Sequence, residues 1–470
     1  MKRTTIEYIA EGTGGKLAAV ASNGAYRTVS SVSIDSRVIP EDCLFFCIIG
    51  ERTDAHRFLP DVREKGCHNV VVSDPVWAAK MAAARDMNVV LVDDTRLALM
   101  ALGERYLDDW KGLTKVGVTG SVGKTSTKEF LYSVLKSRYR TGKTPGNLNS
   151  EFGVPLTAFQ FDEAIEAAVI EMGAGHGSPI ADLAKIAKPD HAVITNVGTS
   201  HLEVFGSRKE LLREKLRIAT GFTKDNALVI NTDSDLLTRE NVLKYQPGDA
   251  RIITVGTGGD EDYILYNICD NGIDGVKCTI AHNGRKAELV LPTVGAHNLG
   301  NAAEAIAIGE VMGIPMEDSV RVLAEPSESN ANRLDVIRCG SYTVINDTYN
   351  ASPESMKAGI NVMMHSPAKR RIAVLGSMYE LGDDSEQLHR SVGEYAAGQQ
   401  MDLLITVGDN AVAIAEGARD AGFDAVKHFS DRDEAAGEIR KILKDGDLIF
   451  VKASRSMELE KLVQAITEAK

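Results

Sequence analysis

The chain has 470 residues, of which 44% are hydrophobic and 25% are charged, as is ordinary for a globular protein with large apolar cores. At roughly 100–200 residues per domain, this length predicts about three domains. The 53 Lys and Arg residues against 66 Asp and Glu give a net charge of −13. Such an acidic surface argues against a protein that wraps nucleic acid or binds an anionic membrane, because both need Lys and Arg beside phosphate.

Neither export nor membrane insertion is indicated. The first ten residues carry no long apolar run of the secretory kind, and no segment approaches the roughly 20 apolar residues that span a bilayer. The six cysteines are scattered without a CxxC pair. Cys43 and Cys47 lack further Cys or His at zinc-site spacing, which favours buried reduced thiols. We therefore expect a cytoplasmic protein without a membrane or nucleic-acid partner.

Residues 1–112 are predicted to form a small α/β domain. The short apolar runs 44–49, 70–72 and 89–92 are typical of buried strands. Segments 57–65 and 96–109 have helical patterns. The pair Lys111-Gly112 interrupts this periodicity, and we place the first domain boundary there.

Residues 113–328 alternate strand-length apolar runs with helical patterns. The predicted strands are 115–119, 167–172, 191–196, 227–231 and 251–255, and the predicted helices are 125–137, 180–187, 208–220 and 298–312. Such alternation requires crossover connections and predicts a mostly parallel sheet. Segment 263–291 is predicted to be antiparallel, since Asn-Gly pairs at 271–272 and 283–284 suit hairpin turns.

The polar segment 325–332 contains a proline and suits a linker to a third domain, residues 329–470. Runs 334–338 and 342–346 predict a hairpin around Cys339-Gly340-Ser341. Further strands at 371–375, 403–407 and 448–451 alternate with helical segments, which predicts a Rossmann-like, doubly wound unit. The predicted fold class is thus α/β, with three domains.

The strongest functional motif is VGVTGSVGKTSTKEF, in which an apolar strand, a glycine-bearing loop and a helix follow one another. Loop N–H groups and the helix N-terminus attract phosphate, Lys124 would reach the β- and γ-phosphates, and the Thr125 hydroxyl would hold Mg²⁺. Val118 stands where a strict P-loop has its first glycine. The context nevertheless predicts a P-loop ATPase-like central domain, whose cofactor-binding residues are Thr119, Gly120, Ser121, Val122, Gly123, Lys124, Thr125 and Ser126.

Two further segments place metal-binding side chains at the same sheet edge. Glu171 ends the predicted strand 167–172, so that its carboxylate faces the crevice beside the loop, where it can bind Mg²⁺. A strand-end surface acid is the alternative. His201 follows the next strand in NVGTSHLEVFGS. A lone histidine is more often structural, but the shared crevice favours a ligand role.

Five ordered motifs resemble the ATP-dependent Mur ligase family: TGSVGKTSTK, TPGNLNSEFGVPLT, EMGAGHG, NVGTSHLEVFGS and GAHNLGNAAEAIAIG. They are most similar to the members that add D-alanyl-D-alanine to a UDP-muramyl tripeptide. The resemblance covers essentially the whole chain, since DSRVIPEDCLFFCIIGERTDAHRF resembles the family's uridine-nucleotide-binding domain. INDTYNASPESMKAGI, VLGSMYELGDDSEQLHRSVG and VKASRSM resemble its third domain.

The resemblance implies an ATP-dependent amide ligase of bacterial peptidoglycan precursor synthesis, acting as a monomer through an acyl phosphate. Its implied cofactors are ATP and two Mg²⁺ ions, and its partners are the UDP-muramyl tripeptide and D-alanyl-D-alanine. The third residue of the tripeptide, L-lysine or meso-diaminopimelate, stays open. The alternatives are another Mur or folylpolyglutamate-type ligase with a different amine substrate and, from another class, a P-loop regulatory switch.

The family pattern also implies residue roles. Thr125 and Glu171 are assigned to one magnesium ion and His201 to a second, with a carbamylated Lys215 as a further ligand. The expected catalytic residues are Lys124, His201, Lys215 and Arg333. Expected nucleotide contacts are Asn298, Asn301, Arg333, Asp347, Tyr349 and Asn350, and expected substrate contacts are Ser36, Arg37, His56, Asn147 and Asn149.

Simpler interpretations of these residues stay open. Lys215 suits a solvated helix position, Asn298 suits a helix cap, and Ser36 and Arg37 suit a strand-turn scaffold.

Arg333 would clamp the γ-phosphate only when the domains close, which predicts a hinge at the 325–332 linker.

Overall fold

The computed structural model describes residues 1–175, 177–199, 202–246, 248–326 and 333–468. In these residues, strands and helices alternate and the strands form four sheets, one of them a two-stranded ribbon. The α/β fold class is therefore confirmed. No helix within the described residues is long and apolar enough to cross a bilayer. His201 lies outside the described residues, as does most of the predicted linker.

The N-terminal unit is built on a five-stranded sheet. The strands of this unit, including the two of a separate ribbon, are β1 (Thr4–Thr5), β2 (Lys16–Ala19), β3 (Thr28–Val29), β4 (Ser31–Ser33), β5 (Cys43–Phe46), β6 (Asn69–Val72) and β7 (Asn88–Leu91). Its helices are α1 (Ile6–Gly12), α2 (Leu59–Glu64), α3 (Pro75–Ala82) and α4 (Thr95–Asp108). The sheet order is β2-β7-β6-β5-β4, in which only β2 is antiparallel to its neighbour, and β1 pairs with β3. The predicted strands and helices of this unit are confirmed.

The central unit contains nine strands in one sheet. They are β8 (Thr114–Thr119), β9 (Thr141–Lys143), β10 (Ala167–Glu171), β11 (His191–Ile194), β12 (Ala227–Asn231), β13 (Arg251–Gly256), β14 (Tyr263–Asp270), β15 (Val276–His282) and β16 (Arg285–Leu291). The helices are α5 (Lys124–Lys136), α6 (Gly153–Ala158), α7 (Ile180–Ala187), α8 (Leu202–Phe205), α9 (Arg208–Leu216), α10 (Arg239–Tyr245), α11 (His297–Val311) and α12 (Met316–Leu323).

The strand order of this sheet is β16-β15-β14-β13-β12-β11-β8-β10-β9. The seven strands β8 to β14 are parallel to one another. Strands β15 and β16 extend the sheet in antiparallel fashion, as predicted. Asn283 and Gly284 form a two-residue turn, and both have positive φ, as this kind of hairpin requires. The turn predicted at 271–272 is instead a longer loop, in which the Ile273 N–H donates to Ser366 Oγ of the third unit.

The C-terminal unit holds a six-stranded sheet. Its strands are β17 (Asp335–Arg338), β18 (Thr343–Asp347), β19 (Arg370–Gly376), β20 (Leu403–Val407), β21 (Val426–Phe429) and β22 (Asp447–Lys452), and its helices are α13 (Pro353–His365), α14 (Ser385–Ala397), α15 (Val412–Asp420), α16 (Arg432–Ile442) and α17 (Glu460–Thr467). The order is β17-β18-β22-β19-β20-β21, parallel except for the edge strand β17. The predicted β17–β18 hairpin is confirmed.

The first two units share one apolar core. The third unit has two further cores, one of which also includes Val294 of the central unit. Helix α4 packs against α6 so closely that a Cβ on Gly103 would lie 2.8 Å from Pro155 Cβ. The Tyr106 and Phe159 rings meet edge to face at 5.5 Å. The N-terminal unit is thus fixed against the central one. The domain boundaries at 112 and 328 stay predictions, and residue 328 lies outside the described part.

Helices α14 and α15 cross at a glycine. A Cβ on Gly393 would lie 2.0 Å from the Ile414 carbonyl oxygen and 2.8 Å from Ala418 N, both of which are backbone atoms that cannot rotate away. We expect Gly393→Ala to lower the free energy of unfolding by about 1–3 kcal/mol, as overpacking does. Urea denaturation of the purified chain measures this.

The control for this prediction is Gly437→Ala in α16, where a Cβ would meet no heavy atom within 4 Å. Because alanine favours a helix interior over glycine, we expect Gly437→Ala to raise stability by about 0.5–1 kcal/mol. Equal effects of the two substitutions would contradict the backbone clash.

Candidate functional site

A cleft of about 1200 Å³ lies between the central and C-terminal units. The residues that follow β8, β10, β11 and β12 line one side, and the residues around β17, β18 and the start of α13 line the other. The carboxyl ends of parallel strands are where open α/β sheets bind their ligands. The cleft is therefore the candidate functional site.

The loop between β8 and α5 has the geometry of a P-loop. The backbone of Gly123, at φ +84°, is left-handed, and α5 begins at the next residue. The N–H groups of four consecutive residues have no backbone or side-chain acceptor among the described residues: Gly123, Lys124, Thr125 and Ser126. Unpartnered N–H groups at a helix N-terminus form a site for an anion such as phosphate.

Lys124 lies over this loop. Its Nζ donates to the carbonyl oxygens of Gly120, at 2.8 Å, and Ser121, at 3.1 Å. Removal of the ammonium from water lowers the pKa of Lys124 to about 8; Glu171 opposes the shift and the Arg333 guanidinium adds to it. Lys124 is thus still mainly a cation at neutral pH, and its head group is positioned at the anion site.

Glu171 is buried at the end of β10, with 1% of its surface exposed. The Thr125 hydroxyl donates to Glu171 Oε2 at 3.1 Å, and Asn149 Nδ2 donates to Oε1 at 2.7 Å. The structure thus brings together Thr125 and Glu171, the predicted ligands of one magnesium ion. Mg²⁺ takes one or two protein oxygens together with waters and substrate phosphates, so this pair fits the ion. Within the described residues, no cluster of three or more His, Cys, Asp or Glu side chains forms a metal site.

Lys215 lies in the last turn of α9 and is buried, with 1% of its surface exposed. No described residue forms a hydrogen bond or ion pair with its ammonium. Burial lowers the pKa of Lys215 well below its usual value, and the Lys124 cation lowers it further, against an opposing effect of Glu214. Lys215 is therefore no solvated helix lysine.

The C-terminal unit contributes further predicted residues to the cleft lining. These are Arg333, Asp347, Tyr349 and Asn350. The Arg333 guanidinium lies 3.9 Å from the centre of the Tyr349 ring, which holds it by a cation–π contact. Asp347 forms an ion pair with Lys452. Polar groups of this unit therefore face the P-loop across the cleft.

Asn298 and Asn301 line the cleft from the first turns of α11. Asn301 Nδ2 donates to Asn298 Oδ1 at 3.0 Å, and Asn298 Nδ2 donates to the Val294 carbonyl at 2.8 Å. The N-cap of α11 is Ala296, so the interpretation of Asn298 as the helix cap is wrong.

The predicted substrate contacts are spread more widely. Of the five, the cleft lining includes Asn149. Ser36, Arg37 and Asn147 lie outside that lining, and Arg37 forms an ion pair with Asp35 at the surface. The His56 ring is buried; its Nδ1–H donates to Asp54 Oδ1 at 2.6 Å, and its Nε2 accepts from the Ser73 N–H at 3.0 Å.

His56 therefore has protein partners on both ring nitrogens. A direct contact with substrate would break one of these hydrogen bonds. The sequence does not show this, because the partner Ser73 lies 17 residues away.

Sequence reasoning missed three residues at the site. Lys128 is buried on α5, donates to the Gly146 carbonyl at 3.0 Å and lies 3.5 Å from Glu171 Oε2. Asn196 bonds to the P-loop. Glu354, in the first turn of α13, accepts from the Thr199 hydroxyl at 3.2 Å and links the C-terminal unit to the central one. The spacing of Lys128, one turn after Lys124 on a buried helix, was the available signal.

Comparisons with known proteins place this geometry in a family. The model of the Mur ligase middle domain matches residues 118–309, and that of the Mur ligase, glutamate ligase domain matches residues 332–455. The UDP-N-acetylmuramoyl-tripeptide–D-alanyl-D-alanine ligase of Bacillus subtilis (strain 168) is 36% identical over 475 residues, which cover 100% of this chain and 99% of the relative.

Solved structures of MurF ligases support the same family. A crystal structure of MurF from Acinetobacter baumannii has a TM-score of 0.88 at 29% identity and covers 100% of this chain and 99% of its own. The structure of MurF ligase from Thermotoga maritima in complex with ADP has a TM-score of 0.79 at 28% identity, over 94% and 97% of the two chains. The chain belongs to the Mur ligase family.

Behind the P-loop helix lies a buried carboxyl group. Glu304 of α11 is fully buried; its Oε2 accepts from the Thr127 hydroxyl at 2.9 Å, and its Oε1 has no hydrogen-bond partner among the described residues. Burial raises the pKa of Glu304 to about 8, although the Thr127 hydrogen bond opposes the shift. Glu304 is therefore protonated at neutral pH in the folded chain.

This raised pKa makes the stability of the chain depend on pH. Between its unfolded value and about 8, the folded state binds a proton that the unfolded state does not, so Glu304 makes the folded state less stable as pH rises through this window. We expect Glu304→Gln to remove this contribution. The free energy of unfolding of the variant, relative to the parent, should increase from pH 5 to pH 8 by up to about 1.4 kcal/mol per pH unit.

Chemical denaturation at several pH values measures this difference. A variant whose stability runs parallel to that of the parent from pH 5 to pH 8 would show that Glu304 is ionised in the folded chain. Thr127→Val, which removes the hydrogen bond to the carboxyl group but leaves Glu304 itself, is the control and should keep the pH dependence.

Proposed function

We propose that the protein is an ATP-dependent amide ligase that joins D-alanyl-D-alanine to a UDP-N-acetylmuramoyl tripeptide in the synthesis of peptidoglycan precursors. Membership of the Mur ligase family supports this proposal, as does full-length similarity to the UDP-N-acetylmuramoyl-tripeptide–D-alanyl-D-alanine ligase of Bacillus subtilis. One structural observation carries it. An anion site with four unpartnered N–H groups and a lysine lies beside a buried Glu171–Thr125 pair and faces Arg333 across one cleft.

The chemistry explains why such a cleft is needed. A carboxylate oxygen is a poor leaving group, so the γ-phosphoryl group of ATP is first transferred to the terminal carboxylate of the tripeptide, and ADP is released. The dipeptide amine, after losing a proton, attacks the acyl carbon. The C–N bond forms, the nitrogen loses a second proton, the C–O bond to phosphate breaks, and inorganic phosphate leaves with the bonding electron pair. Both reactants are anions, so cationic groups must bring them together.

The P-loop residues 119–126 would bind the triphosphate, with Lys124 offsetting the charge that develops on the transferred phosphoryl group. Asn298 and Asn301 would contact the nucleotide from α11. Asp347, Tyr349, Asn350 and Arg333 would contact it from the C-terminal unit. The guanidinium of Arg333 presents paired donors that suit phosphate oxygens, and the Tyr349 ring holds it in place.

Thr125 and Glu171 would hold one magnesium ion, and His201 and Lys215 a second. When bound, Mg²⁺ neutralises phosphate charge and orients the phosphoryl group. Lys215 would serve as a carbamate. The neutral amine, rather than the ammonium, adds to CO₂. Burial without a hydrogen-bond partner among the described residues lowers the pKa of Lys215 and so favours the neutral form. The carbamate would carry a negative charge, which the Lys124 cation stabilises.

The UDP-muramyl substrate would be bound by Ser36 and Arg37 of the N-terminal unit and by Asn147 and Asn149 of the central one. His56, which is buried between Asp54 and Ser73, would support the N-terminal unit rather than contact the substrate directly. We further propose that the enzyme acts as a monomer in the cytoplasm, where the six cysteines, which form no disulfide in the described part of the chain, stay reduced. A ligase of the same family with another amine substrate is the competing proposal, and a P-loop switch is less consistent with the Glu171–Lys215 arrangement.

A phosphate-release assay tests the proposed reaction. We expect release of inorganic phosphate only when enzyme, UDP-muramyl tripeptide, ATP, Mg²⁺ and D-alanyl-D-alanine are all present. L-alanyl-L-alanine, D-glutamate and meso-diaminopimelate in place of the dipeptide are the amine controls. Lys124→Ala should lower turnover by about 100-fold or more, because it removes charge stabilisation from the transition state. Phosphate release at the same rate with and without D-alanyl-D-alanine would contradict the proposed reaction.

A second substitution tests the proposed carbamate. We expect Lys215→Ala to lower turnover at least tenfold, and we expect acetate or propionate to restore part of it, because a small carboxylate can fill the space of the carbamate. Turnover is measured with and without these acids. The control is Lys209→Ala, an exposed lysine on the same helix, which should leave turnover within twofold. Full activity of Lys215→Ala would refute the role.

A further inference from the structure

The P-loop is hydrogen-bonded to the segment that follows β11. The carbonyl oxygen Oδ1 of Asn196 accepts from the N–H groups of Ser121, at 3.1 Å, and Val122, at 3.0 Å. The Asn196 main-chain carbonyl also accepts from the Ser121 N–H at 3.1 Å. Two residues further along, the Gly198 N–H donates to the Ser121 hydroxyl at 2.9 Å. One asparagine therefore ties down the first half of the loop.

These contacts divide the loop into two parts. The N–H groups of Ser121 and Val122 are used up by Asn196, whereas the next four N–H groups, from Gly123 to Ser126, have no acceptor among the described residues. Asn196 thus leaves the phosphate-facing donors free. It does not take the place of a bound phosphate.

The boundary between the two parts is also set from the β11 side. The Val122 carbonyl oxygen accepts from Asn196 Nδ2, at 3.1 Å, and from the Thr195 hydroxyl, at 2.5 Å. In a planar trans peptide, the carbonyl and the following N–H point in opposite directions. Holding the Val122 carbonyl against β11 therefore turns the Gly123 N–H toward the anion site.

We propose that Asn196 is a positioning residue of the nucleotide site, which sets the shape of the P-loop before nucleotide binds. The inference rests on the proposed binding of nucleotide at this loop. Both faces of the amide are needed, because Oδ1 accepts from two N–H groups while Nδ2 donates to a carbonyl. A carboxylate of the same shape has no donor for Val122 and brings a negative charge beside the phosphates.

The chain offers a matched control in Asn226. Its Oδ1 accepts from the Thr223 N–H at 2.7 Å, and its Nδ2 donates to the Asp190 carbonyl at 2.9 Å. It lies just before β12, at the amino edge of the same parallel sheet, away from the cleft. Asn196 and Asn226 thus make similar hydrogen bonds at opposite edges of one sheet.

Calorimetric titration of the full chain with ADP, in the absence of Mg²⁺, tests the inference. We expect Asn196→Ala and Asn196→Asp to weaken ADP binding at least tenfold and Asn226→Ala to weaken it less than twofold. In steady-state assays, KM for ATP should rise in the Asn196 variants by a larger factor than kcat falls, because the loop acts on nucleotide affinity. A role in folding alone would lower the melting temperature of the Asn196 and Asn226 variants alike and leave ADP affinity unchanged.

The outcomes separate this inference from the proposed function. If the parent does not bind ADP, the proposed nucleotide site is wrong and the inference falls with it. If the parent binds ADP and both Asn196 variants bind it equally well, the inference alone is overturned. Should Asn196→Ala fail to fold, Asn196→Asp decides, since it has the size and shape of the native side chain.

Discussion

Backbone N–H groups at the start of α5 have no acceptor in the part of the chain that the structure describes, and the rest of the site is arranged around these free donors. Buried N–H groups are almost always paired, because losing water without gaining an acceptor costs free energy. Here the donors from Gly123 to Ser126 face a cleft, where water or an anion can meet them. The loop keeps this shape because Asn196 holds its first half and because only glycine fits at position 120, where a Cβ would lie 1.9 Å from Thr195 Oγ1.

Two buried lysines beside this loop show how partners decide the chemistry of one residue type. Lys128 lies 3.5 Å from Glu171 and Glu129 and donates to the Gly146 carbonyl, so its charge is compensated and it holds three elements together. Lys215 is equally buried but has no hydrogen-bond or ion-pair partner within the described residues, and its pKa falls well below the usual value. Burial therefore favours the neutral form of Lys215, whereas Lys128 has acidic partners beside it.

The three units are joined in unequal ways. The N-terminal and central units share one apolar core, whereas the C-terminal unit meets the central one through contacts that include Thr199–Glu354, Ile273–Ser366 and Asp270–His365. This interface also has an apolar part, because Val294 of the central unit belongs to the core of the C-terminal unit and Ile273 packs against that core. The C-terminal unit carries Arg333 and the other groups that face the P-loop across the cleft.

The sequence alone predicted most of the strands and helices, the parallel central sheet and the P-loop, because hydrophobic period and turn chemistry are local properties of the chain. It also placed Thr125 and Glu171 at one sheet edge, since parallel strands end together. It did not predict the short elements β9, α6, α10 and α12. Only the tertiary structure decided which side chains are buried and which partners they have. It shows that His56 lies between Asp54 and Ser73. It also shows that buried Lys128 has an acidic partner, whereas buried Lys215 has none among the described residues. Asn196 belongs to this second group, because its partners lie some 75 residues away and no local pattern encodes a contact across strands.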